Sequence, residues 1–237
     1  MTTAYRYKDI EYSLKKSERK TTSIYIERDG AVSVIAPAPF EIDKIEQIIE
    51  SKRSWIYRNL AEWEDLNRTR VHREYVNGES FLYFGRHYRL QLVDVENVHD
   101  ELQTEALKFL NGQFWLRKDA VQKAPEHFKL FYKTKLQKKL KERFKLYQSK
   151  MGVEPSDVKV MELQNRWGSC TGKGVLNFHW KCAMLPLSVL DYVVVHELAH
   201  IEQADHSPVF WRSVEKVMPG YEEHKKWLKF NGACMSL

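Results

Sequence analysis

The stretch from Val193 to His206, Val-Val-Val-His-Glu-Leu-Ala-His-Ile-Glu-Gln-Ala-Asp-His, constrains the fold more than any other part of the chain. Wound as a helix, its first turns are apolar except where they carry His196, Glu197 and His200, so the helix has to be buried with those three side chains meeting a cavity or cleft. Two histidines four residues apart lie one turn above the other and point the same way. They can share one metal ion, and zinc is the usual partner for imidazole nitrogen at a site of about four ligands. Glu197 is offset around the helix, close enough to reach water on the metal without ligating it. A chance His-Glu-x-x-His is expected only ~0.03 times in a chain of this size and composition, so the run is read as a metal motif and not as a surface helix with two incidental histidines.

A catalytic zinc site needs a third protein ligand and an open position. His206 follows His200 by six residues, the spacing of the extended zincin motif His-Glu-x-x-His-x-x-Gly-x-x-His. Gln203 stands where that motif has glycine. The chain must leave its helix and turn back, and Asp205 is expected to take the left-handed conformation that glycine would supply cheaply. Ser207-Pro208 then reads as an N-cap and first turn, which puts His206 in a tight corner between two helices. Glu215, Glu222 and Glu223 are the competing third ligands, and His224 reads as a surface histidine. Glu197 is expected to act as general base, taking a proton from water whose pKa the metal lowers to roughly 7. Arg166, Asn177, His179 and Tyr221 are candidates for stabilising the developing oxyanion.

The rest of the chain reads as α+β: a β-rich N-terminal section with one long helix over residues 1–122, then a small zincin-like section over 123–237 with the metal motif on a helix. Tyr7–Leu14, Thr21–Glu27 and Ala31–Ala36 are expected strands, with a turn at Arg28-Asp29-Gly30. A helix follows over Glu41–Leu66. Ser80–Phe84, His87–Val95, Glu105–Leu110 and Gln113–Arg117 form a second β section, with Asn111-Gly112 as a hairpin signal. Pro125 opens a helix to about Lys150, striped with Phe128, Tyr132, Leu136, Leu140, Phe144 and Tyr147 and stopped by Gly152. Val158–Leu163 and Val175–Trp180 are expected strands. The latter is expected to align an extended substrate beside the metal. Helices follow over Leu187–Gln203, Ser207–Val217 and Tyr221–Phe230. No internal repeat is evident.

Composition narrows the class. No apolar run approaches the ~20 residues of a membrane span, and the first residues lack the apolar core of a signal peptide. Cys170, Cys182 and Cys234 make an odd count without paired spacing, which disfavours a disulfide framework. A cytoplasmic protein without membrane contact is the expectation. The net charge of +6 permits a polyanionic partner without requiring one. Lys129, Lys133, Lys135, Lys138, Lys139, Lys141, Arg143, Lys145 and Lys150 make the long helix basic. This is read first as a solvated face, with nucleic-acid contact as the alternative.

Asn165-Arg166-Trp167-Gly168-Ser169-Cys170 is the second dense cluster. Taken with Leu176-Asn177-Phe178-His179-Trp180, Val195-His196-Glu197-Leu198-Ala199-His200, Asp205-His206-Ser207, Phe210-Trp211 and Phe84-Gly85-Arg86, it resembles the YgjP-like family of zinc metallopeptidases, itself similar to SprT-like and Wss-like metalloproteases. The family usually has asparagine before the third histidine, where this chain has Asp205. The resemblance implies one zinc ion on His196, His200 and His206, Glu197 as base, and places for Arg166, Trp167 and Asn177 near the substrate cleft. Trp167 also reads as a core residue and Arg166 as half of an ion pair. Cys170 is disfavoured as a nucleophile because a metal site already supplies the water, and it is a ligand only if His206 is not. A peptide is the leading substrate. The alternatives are a metal-dependent nucleoside triphosphate pyrophosphatase and a nucleic-acid-associated protein with structural zinc. The absence of a phosphate-cradling glycine loop counts against the first, and the intact Glu197 against the second.

Overall fold

The computed structural model describes residues 3–27, 30–67, 73–94, 105–163, 166–232 and 235–237. Arg28 and Asp29 of the expected turn, Val95 at the end of an expected strand, Asn165 and Cys234 lie outside the described residues. By contact the chain divides into two units, Met1–Val71 and His72–Leu237.

In the first unit, β1 (Thr3–Tyr7) and β2 (Ile10–Ser17) form an antiparallel hairpin, and β3 (Ser23–Ile26) and β4 (Val32–Pro37) form another. The single strand expected over Tyr7–Leu14 is thus the tip and return arm of a hairpin. Its turn places Lys8 at φ 53, a left-handed conformation with no glycine to announce it. β2 and β4 pair in parallel at the centre, giving the order β1-β2-β4-β3. Ile10, Tyr12, Leu14, Val32, Val34 and Ala36 alternate onto one face and meet Ile45, Ile49 and Ile56 from the helices. Those helices are α1 (Ile42–Ser51) and α2 (Arg53–Asn67). The continuous helix expected there is interrupted at Lys52, where the Ser51 hydroxyl donates to the Ile48 carbonyl at 2.8 Å.

The second unit opens with the same plan. β5 (Ser80–Tyr83) and β6 (Arg86–Val93) form a hairpin, β7 (Leu107–Leu110) and β8 (Gln113–Arg117) another, and β6 pairs with β8 in parallel to give β5-β6-β8-β7. The Asn111-Gly112 turn forms as expected, with φ 49 and 76. The two sheets therefore share a topology that no sequence repeat reveals. The ladder is a backbone property, whereas the cores differ in kind: Ile, Val and Ala in the first unit, a stack of Phe81, Phe114, Phe128 and Tyr132 in the second.

That aromatic stack explains why the boundary expected after residue 122 is not where contact divides the chain. Phe128 and Tyr132 belong to α3 (Ala124–Met151), and they close the core of the β5–β8 sheet. Farther along the same helix, Phe144 meets Phe178 of the next sheet. One helix thus serves both, and Gly152, at φ 69, ends it. The third sheet has the order β10-β11-β9, built from β9 (Asp157–Met161), β10 (Gly168–Cys170) and β11 (Val175–His179), with β11 antiparallel to β10 and parallel to β9.

The motif helix is α4 (Leu187–Glu202), followed by α5 (Pro208–Val217) and α6 (Tyr221–Asn231). It packs against α3, α5, α6 and β10. Its entry is held from outside: the Phe84 and Gly85 amides donate to the carbonyls of Ala183 and Met184 at 2.8 and 3.1 Å. A Cβ on Gly85 would lie 2.7 Å from Pro186 Cα, so that hairpin tip has to be glycine to seat the helix start. Among the described residues no helix is long and apolar enough to cross a membrane.

Most lysines of α3 face solvent, and Lys129 and Lys139 pair with the exposed carboxylates Glu162 and Glu142. Arg143 differs, gripping Asp191 of α4 through two guanidinium nitrogens where both groups are largely buried. Removing one partner leaves the other charge buried and alone. Arg143→Ala should therefore cost about 3–5 kcal/mol in urea unfolding, against at most about 1 kcal/mol for Lys139→Ala. Equal small losses would show that the buried pair does not hold α3 to α4.

Candidate metal centre

α4 is apolar nearly all round: Val189, Leu190, Val193, Val194, Val195, Leu198 and Ala199 are all buried. His196 and His200 are partly exposed on the remaining face, and Glu197 is only 4% exposed. The chain leaves α4 at Gln203, whose amide still donates to the Ala199 carbonyl and whose φ and ψ of −124° and 103° are extended. The left-handed residue expected in this corner is not used. Asp205 is absent from the positive-φ residues and instead accepts from the Ser207 amide at 3.2 Å. Glycine is dispensable because the reversal is made by extended backbone followed at once by the Ser207 cap, whose hydroxyl accepts from Phe210.

This corner returns His206 to the helix. The ligand nitrogens of His196, His200 and His206 lie within 4.8 Å of one another, and Nε2 of His206 stands 3.1 Å from Nε2 of His196. Two imidazole nitrogens sharing a tetrahedral zinc at ordinary bond lengths stand roughly 3.3 Å apart. His200 Nδ1 lies 2.9 Å from the Gln203 carbonyl, which requires the proton on Nδ1 and leaves the Nε2 lone pair free for a metal. An all-imidazole donor set suits zinc, and His206 is open to solvent. Among the described residues, Glu215, Glu222, Glu223 and Cys170 do not join this cluster. Glu215 and Glu222 act on Tyr221 instead.

Phe210, fully buried on α5, forms the floor of the triad, with its ring 4.5–4.9 Å from all three imidazoles. Trp211 lies against His206 at 5.5 Å and His196 at 5.8 Å and stacks on Tyr221 at 5.0 Å. In the sequence, Phe210-Trp211 stands out only as part of the family resemblance. Their contact with all three histidines follows from the N-cap at Ser207, which sets the phase of α5.

The apolar surroundings decide protonation. Burial, reinforced by the neighbouring His200, His206 and Lys225, holds His196 down to about 3, and burial lowers His206 as well. Both rings are therefore neutral and available as ligands at neutral pH. Burial pushes Glu197 up to about 8, opposed only by the charge of Arg166. Its Oε2 and the Nδ1 of His196 are buried without hydrogen-bond partners among the described residues.

Gly168 is the close neighbour of Glu197. A Cβ at this position would lie 2.6 Å from both Cγ and Oε1 of Glu197, so only glycine lets β10 pass over the carboxylate. Paired residues on antiparallel strands point to the same face, and Gly168 is opposite Phe178 and Ser169 opposite Asn177. The Gly168–Phe178 face therefore looks toward α4, and Asn177 points the other way, donating to the Ser169 hydroxyl at 3.3 Å. The pleat thus removes Asn177 from the cleft positions expected of it. His179 is likewise engaged elsewhere: Nδ1 accepts from the Lys181 amide, and Nε2 lies 3.7 Å from Glu162. Trp167 packs with the core and against Gly232 of the last helix, matching its reading as a core residue. Arg166 is exposed beside Glu197. β11, expected to align a substrate, has both edges taken by β9 and β10; among the described residues the outer edges belong to β9 and β10, and β10 is the one that passes over Glu197.

The family described as YgjP-like, metallopeptidase domain, matches residues 20–231. Among solved structures, that of the metallopeptidase zymogen abylysin of Pyrococcus abyssi is similar at 26% identity with a TM-score of 0.36, covering 38% of this chain and 90% of that one. Among curated proteins none matches.

The sign of the Glu197 shift makes a metal-free test. A carboxyl raised from 4.5 to about 8 keeps, in the folded protein, a proton that the unfolded chain has lost, so its contribution to stability falls as pH rises through that window. Glu197→Gln keeps the shape and cannot ionise. In chelator-treated protein its melting temperature should exceed that of the wild type by a margin that widens between about pH 6 and 8. A margin independent of pH would refute the buried, protonated carboxyl.

Proposed function

The chain belongs to the YgjP-like metallopeptidase family, and from that premise we propose a zinc-dependent peptidase in which His196, His200 and His206 hold one zinc ion and Glu197 is the general base. The observation that carries the proposal is the convergence of three imidazoles beside a buried carboxyl whose second oxygen has no partner among the described residues. Zinc, when bound, supplies a Lewis acid that makes water nucleophilic near neutral pH. The residues supply the rest. Cationic charge beside Glu197 favours its carboxylate form, so the oxygen left without a partner can accept a proton from attacking water and deliver it to the departing amine. Gly168 keeps that carboxylate in place, and the Gln203 carbonyl keeps the His200 ring in the ligating tautomer. The free edge of β10 offers main-chain hydrogen bonds to an extended peptide. Tyr221, whose ring stacks on Trp211, is the candidate for stabilising the oxyanion.

A phosphoanhydride substrate is the second reading, favoured by the exposed Arg166 beside Glu197. A purely structural zinc is opposed by Glu197, since burying an unpartnered carboxyl next to the ligands serves no structural end.

Metal-loaded protein assayed side by side on unfolded polypeptide and on nucleoside triphosphates should cleave the former. Glu197→Ala should retain metal and lose turnover by ~100-fold or more, whereas His200→Ala should lose both. Full activity in Glu197→Ala would refute the mechanism. Gly168→Ala, which displaces the carboxylate without touching a ligand, should lower kcat ~10–100-fold at unchanged metal content. An unaffected rate would show that the Gly168 contact does not position the base.

A further inference from the structure

Beyond the triad, one charged group of the cleft is held in place without being neutralised. Lys225, on α6, lies with Nζ 4.1 Å from the centre of the Trp211 ring, and Trp211 is the ring stacked against His206. An aromatic face attracts and orients an ammonium but carries no net charge to cancel it. Among the described residues no carboxylate lies within ion-pair distance of Lys225. Its charge reaches both His196 and His206.

The charges facing this side of the site can be enumerated. Asp205, beside His206, already caps the Ser207 amide. Glu215 and Glu222 bear on Tyr221, at the solvent side of the aromatic stack. On the opposite flank Arg166 stands exposed next to Glu197. Two exposed cations that no carboxylate ion-pairs among the described residues thus frame the site, one on the β10 side and one on the α6 side.

Resting on the peptidase reading, we propose that Lys225, held on Trp211, is a specificity-determining residue that selects peptides with an Asp or Glu side chain near the scissile bond. An extended chain advances about 3.3 Å per residue, so an ammonium one aromatic ring beyond His206 meets a side chain one or two residues from the bond cut. The partner is an acidic peptide segment because β10 offers a main-chain edge to read and, on the α6 side, a single lysine supplies a point charge, with no glycine-loop cradle for a polyphosphate among the described residues.

The test uses the full-length, zinc-loaded protein and a degenerate peptide mixture, with cleavage sites read by mass spectrometry. The wild type should show Asp and Glu enriched at one position within two residues of the cut, and the enrichment should shrink as salt is raised. Lys225→Met, which keeps an aliphatic stem against Trp211, should lower the acidic-to-neutral ratio of kcat/KM about three- to tenfold. Lys225→Glu should reverse it in favour of Lys and Arg. Cleavage without acidic enrichment, or enrichment that survives Lys225→Glu, overturns this assignment and leaves the peptidase reading intact. Hydrolysis of triphosphates with no peptide cut overturns both.

Discussion

Burial of α4 on almost every side governs this structure, because a helix that is apolar around its circumference can expose polar groups only along one stripe. Here that stripe is His196, Glu197 and His200. The surrounding elements are answers to the same demand. α3 covers one flank and neutralises the buried Asp191 through Arg143, β10 crosses over Glu197 where Gly168 leaves room, and α5 and α6 close the rest. The Phe84-Gly85 hairpin tip bonds to the segment leading into the helix and fixes where it begins.

The same burial sets the chemistry. Removing imidazoles and a carboxyl from water favours their neutral forms, which leaves the His196 and His206 lone pairs available and Glu197 protonated in the absence of a metal. Packing and protonation are therefore one problem, solved by the apolar neighbours Phe210, Val195 and Ala199 as much as by the polar residues. Toward solvent the pattern inverts. There the exposed groups Arg166 and Lys225 carry charge that no carboxylate among the described residues ion-pairs, so the rim is cationic while the floor is apolar.

Much of the site was legible in the chain because it is local. His196, Glu197 and His200 share a helix, and Ser207-Pro208 marks the start of the next, so the corner that returns His206 could be located without coordinates. The reason the corner works was not legible. Gln203 takes the glycine position because extended backbone makes the turn, and its carbonyl orients His200. The face on which Asn177 lies was not legible for the complementary reason: strand pleat assigns alternate residues to opposite faces, and which face meets α4 depends on pairing with β10.

The fold followed the same division. Hairpin and cap signals such as Asn111-Gly112, Gly152 and Ser207 act within a few residues, and each marks a real turn or end. The shared plan of the two four-stranded sheets and the boundary at residues 71 and 72 rest on long-range ladders and on α3 joining an aromatic core, which no local signal encodes. By itself the sequence determined the metal motif, its helix and the family, since helical periodicity places residues three and four apart on one face. Only the tertiary structure decided that Gly168 seats the Glu197 carboxyl, that β10 and not β11 lies at an edge of its sheet, and that Lys225 sits on Trp211 beside His206, since those neighbours are far apart in sequence and meet only through packing.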